Sequence, residues 1–68
     1  MVYKLREDKS EEIKSKFRNS YFVEKAGLSK NYVSLILNRK RNVSKVVAYV
    51  MTKLIDENAE ILDFFEVA

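Results

Sequence analysis

The sequence predicts an all-α fold: one small domain of five short helices. Three observations carry that expectation. Apolar residues recur at helical spacing through most of the chain. The only glycine, Gly27, stands two residues before a serine suited to start a new helix. There is no proline, and 68 residues leave room for one core with short connections.

The elements follow in order. Residues 1–8, "MVYKLRED", alternate loosely and read either as an N-terminal arm or as a short extended piece. Asp8 or Ser10 then caps a first helix, with Glu11 three residues after Asp8 at capping-box spacing and Ile13 and Phe17 one turn apart. A second helix opens near Asn19 or Ser20, turns Phe22, Val23 and Ala26 inward, and ends at Gly27, free to adopt a left-handed conformation. Ser29 caps a third helix from Lys30 to about Asn38. On a wheel of 3.6 residues per turn, Val33, Ile36 and Leu37 share one face, with Tyr32 at its edge. Lys30, Asn31, Ser34, Leu35 and Asn38 share the other. Ser44 caps a fourth helix that buries Val47, Val50, Met51 and Leu54 and turns Tyr49, Thr52 and Lys53 to solvent. A last helix spans about Asn58 to Phe65 and contributes Ile61, Leu62, Phe64 and Phe65.

Composition narrows the chemistry. No histidine and no cysteine means no imidazole or thiolate nucleophile, no structural zinc site and no disulfide. No paired carboxylates fall in an apolar setting, so the expected class is a binding protein, with no cofactor and no metal, rather than an enzyme. The first residues lack the apolar run of a signal peptide, and no stretch is long and apolar enough to cross a bilayer. The expectation is a cytoplasmic, reduced protein.

Charge is segregated along the chain. From Ser29 to Lys45 lie Lys30, Arg39, Lys40, Arg41 and Lys45 with no acid. From Asp56 to Glu66 lie Asp56, Glu57, Glu60, Asp63 and Glu66 with no base. The net charge of +3 hides this polarity, whose basic end suits a polyanion or an acidic partner.

Two short helices joined by a glycine-containing turn form a helix-turn-helix, here at about residues 19–38. Together "FVEKAGLSKNYVSLILNRKRNVS" and the following "KVVAYVMTKLI" resemble the lambda-repressor-like (cI/Cro, phage-type) family. The resemblance covers Ser10 to Phe65. It implies binding of double-stranded DNA through the major groove by a small Cro-like regulator. Lys30, Asn31, Ser34 and Leu35 would face base edges; Asn19, Ser20, Asn38, Arg39, Lys40 and Arg41 would hold phosphates. Three positions depart from the family pattern: Asn19 and Ser20 stand where a glutamine is common, Arg39 where a glycine is common, and Val43 where a proline is common. Without that glycine, Asn38 or Arg39 has to take the strained turn.

The partner has a second reading. Leu35, on the outward face, suits either a thymine methyl or a protein contact, the latter making the chain an antirepressor that grips a phage repressor. Phe64 and Phe65 either form a homodimer surface on the C-terminal helix or complete the core.

Overall fold

The computed structural model describes residues 1–68 and overturns the all-α expectation. Five helices hold 60% of the residues, but three short strands form an antiparallel sheet, so the domain is mixed α/β. The order is β1 (Val2–Leu5), α1 (Glu7–Lys16), α2 (Asn19–Ala26), α3 (Lys30–Leu37), β2 (Val43–Ser44), α4 (Lys45–Ile55), α5 (Ile61–Phe64) and β3 (Phe65–Val67).

The opening residues are no arm. Strand β1 lies at the centre of the sheet, between β2 and β3. Its side chains alternate with period two: Tyr3 and Leu5 are buried, Val2 and Lys4 are not. Val2 pairs with Ser44 and Tyr3 with Val43 on one side; Tyr3, Lys4 and Leu5 pair with Val67, Glu66 and Phe65 on the other. Beyond those pairs, the Arg6 N–H donates to the Phe64 carbonyl at 2.8 Å and the Ala68 N–H to the Val2 carbonyl at 3.0 Å.

Helix α1 starts at Glu7, earlier than caps at Asp8 or Ser10 would set it. Arg6 takes the N-cap position and grips the Asp8 carboxylate through Nε and a terminal nitrogen, at 3.1 and 2.9 Å. Ser10 is buried instead, and its hydroxyl donates to the Leu37 carbonyl at 2.7 Å, tying α1 to the end of α3. Ile13 is buried, while Phe17 stacks on Tyr21 with ring centres 5.3 Å apart.

Gly27 closes α2 at φ 69°, its N–H donating to the Val23 carbonyl at 3.1 Å. A Cβ there would meet nothing within 4 Å, so the backbone conformation alone calls for glycine. Ser29 caps α3 by accepting the Tyr32 N–H at 3.1 Å, and Ser44 caps α4 by accepting the Val47 N–H at 3.3 Å.

Helix α4 is rotated from the wheel expectation. Its innermost residues are Ala48, Met51 and Thr52; Val47, Val50 and Leu54 are only half-buried, and Thr52 is fully buried rather than exposed. The final helix is a single turn, because Phe65 leaves it to begin β3. Leu5, Ile13, Phe22, Val33, Ile36, Met51 and Phe65 form the centre of the core. Each such side chain contributes about 1.5–3 kcal/mol by leaving water.

Candidate nucleic-acid interface

Helix α3 is divided as the sequence requires. Val33, Ile36 and Leu37 are buried against the domain. Lys30 and Asn31 are exposed in its first turn, and Ser34 is half-buried one turn further on. No acidic residue lies on this helix, so its free N-terminal face presents one ammonium, one carboxamide and one hydroxyl. Those are donors and acceptors of the kind that read base edges. Leu35 is half-buried, one turn on from Asn31 and next to Ser34.

Asn38 ends the helix, exposed but already engaged. Its amide nitrogen donates to the Ser34 carbonyl at 2.9 Å, and its amide oxygen accepts from Lys14 Nζ at 3.0 Å. The strained turn falls on Arg39 at φ 60°, while Asn38 keeps φ −93°. The arginine takes it because its side chain turns inward to the sheet. Arg39 Nε donates to the Leu5 carbonyl at 2.8 Å, and a terminal nitrogen lies 3.9 Å from the Glu66 carboxylate. The even residues of β1 bond to β3, so the Leu5 carbonyl faces the β2 side, beyond where β2 ends. Arg39 therefore fills a missing rung of the sheet. Its charge is held at the sheet, apart from the exposed basic residues that follow it.

Those residues are Lys40 and Arg41. The Arg41 guanidinium carbon lies 5.2 Å from the centre of the Tyr32 ring, a cation–π contact worth about 0.5–1 kcal/mol at an exposed site. Tyr32, in the first turn of α3, thus fixes Arg41 beside that helix.

At the start of α2, Asn19 is half-buried and Ser20 exposed. The N-cap is Arg18, whose side chain makes no capping bond, so no side chain satisfies the first amides. An uncapped helix start beside an exposed arginine suits an anion. Sequence reasoning passed over Arg18; the signal available was a base directly before two cap-forming residues. Phe64 and Phe65, offered as a dimer surface, are 8% and 1% exposed and belong to the core. No helix is long and apolar enough to cross a membrane.

No family model, curated protein or solved structure matches this chain. The functional reading therefore rests on the chemistry of the exposed α3 face and its basic surroundings.

Proposed function

We propose that the chain is a small, Cro-like DNA-binding regulator working in the cytoplasm, with no catalytic step. It binds operator DNA with α3 in the major groove. The observation that carries the reading is the division of α3: a buried Val33–Ile36–Leu37 face opposite exposed Lys30 and Asn31, in a stretch free of acids. Lys30 suits the acceptors of guanine, Asn31 the paired donor and acceptor of adenine, and Ser34 either. Lys40, Arg41, Arg18 and the open amides of Asn19 and Ser20 supply phosphate contacts that set register without reading sequence. The alternative, a modulator gripping a repressor through Leu35, rests on that one apolar side chain, whereas the DNA reading draws on Lys30, Asn31, Lys40 and Arg41, all exposed.

Selection from a random duplex library at about 50 and about 200 mM salt tests the proposal, because counterion release separates phosphate attraction from base reading. A two-fold symmetric site still enriched at the higher salt is the expected result. Weak binding that vanishes with salt and enriches no sequence would overturn it.

A further inference from the structure

Helix α1 holds the end of α3 at two points one turn apart. On the buried side, the Ser10 hydroxyl donates to the Leu37 carbonyl at 2.7 Å. On the exposed side, Lys14 Nζ, itself 3.1 Å from the Glu11 carboxylate, donates to the Asn38 amide oxygen at 3.0 Å. The Asn38 amide nitrogen turns the other way. It donates to the Ser34 carbonyl at 2.9 Å and lies 3.4 Å from the Ser34 hydroxyl oxygen. Lys14, Asn38 and Ser34 thus form a hydrogen-bonded chain that begins on α1 and ends on α3.

What each group can offer fixes the direction of that chain. An ammonium has donors and no acceptor, so the carboxamide must turn its oxygen to Lys14. A carbonyl only accepts, so the Ser34 carbonyl calls for the amide nitrogen, and the two demands agree. The second amide proton then points to the Ser34 hydroxyl oxygen, which acts as the acceptor. The hydroxyl proton is left to point away from Asn38.

Resting on the DNA reading above, we propose that Lys14 is a positioning residue: through Asn38, it makes Ser34 a hydrogen-bond donor to the operator. A hydroxyl free to turn bonds a donor or an acceptor alike; held this way, it calls for an acceptor. Guanine, adenine and thymine each offer one in the major groove, whereas cytosine offers a donor alone. Ser34 therefore selects against cytosine at the base it faces.

Three variants, put through the same duplex selection as the parent, test this. Ser34→Ala locates the base position by relaxing the preference there. At that position the parent should disfavour cytosine by roughly tenfold. Lys14→Met keeps the length of the side chain and drops the ammonium; it should cut the bias to roughly two- to threefold and leave other positions alone. Asn38→Asp reverses the chain, since a carboxylate accepts from both Lys14 and Ser34 and draws the hydroxyl proton inward. Cytosine should then rise to parity or beyond. Thermal melts read by circular dichroism check that the variants keep the fold. If Lys14 instead held a phosphate, Lys14→Met would lower the salt slope by about one with the cytosine bias unchanged, which would overturn the proposal. An enriched site indifferent to Ser34→Ala would overturn it too, with the DNA reading intact. A parent that enriches no site would remove both.

Discussion

Thr52 illustrates what one side chain decides in a domain this small. It is fully buried on the inner stripe of α4, and its hydroxyl has no hydrogen-bond partner. An unpaired buried hydroxyl costs about 1–3 kcal/mol, whereas an apolar group of the same shape costs nothing of the kind. Thr52→Val is therefore expected to stabilise the fold by about 1 kcal/mol, raising Tm by roughly 4–8 °C in a domain of this length. A melt unchanged or lowered would show that the hydroxyl is satisfied. Thr52 also shows why the α4 wheel misled: a threonine beside valines reads as the polar face. Ala48 and Thr52, one turn apart, are instead the slim positions that let the helix approach the core. Arg39 carries a different lesson. The missing glycine announced a strained residue, and asparagine tolerates positive φ better. The carbonyl of Leu5, thirty-four positions away, decides the matter for arginine.

At the scale of elements, α2, the turn, α3 and the start of α4 were legible because their signals are local. Gly27, Ser29 and Ser44 each act within four residues of themselves. The split faces of α3 follow from a period that no distant contact has to complete. The same split makes a prediction about roles. Asn31→Ala should cost roughly 1–3 kcal/mol at one base position and leave other positions alone. Arg41→Ala, in the loop after the helix, should weaken binding about evenly across sequences and lower the salt slope by about one. Competition titrations against single-base operator variants at several salt concentrations separate the two. Equal loss at every position for Asn31→Ala would place that residue on the backbone. The candidate site was less legible than the helix that bears it: Arg39 and Asn38 have partners within the fold, and Arg18 emerges only once α2 is seen to lack a side-chain cap.

For the whole molecule, the sheet is what the sequence concealed. Strands of two to four residues carry little periodicity, and "ILDFF" has helical spacing up to the residue where the chain becomes extended. Only pairing with β1 makes Phe65–Val67 a strand, and β1 lies nearly a full chain length away. Removal of Met1–Leu5 tests that interdependence. The loss of fully buried Leu5 and of the central strand should leave a chain with no cooperative melt by circular dichroism, whereas loss of a mere arm would leave Tm unchanged. The pairing has a consequence in time as well as in space. During synthesis, helices α1 to α4 emerge between the first and last strands, each only 8 to 11 residues long and so marginal until packed on its neighbours. Strand β1, made first, has only the two residues of β2 to pair with until Phe65–Val67 follows. The sheet is therefore built from the inside out: its central strand comes first, and the partner that covers its longer edge comes last.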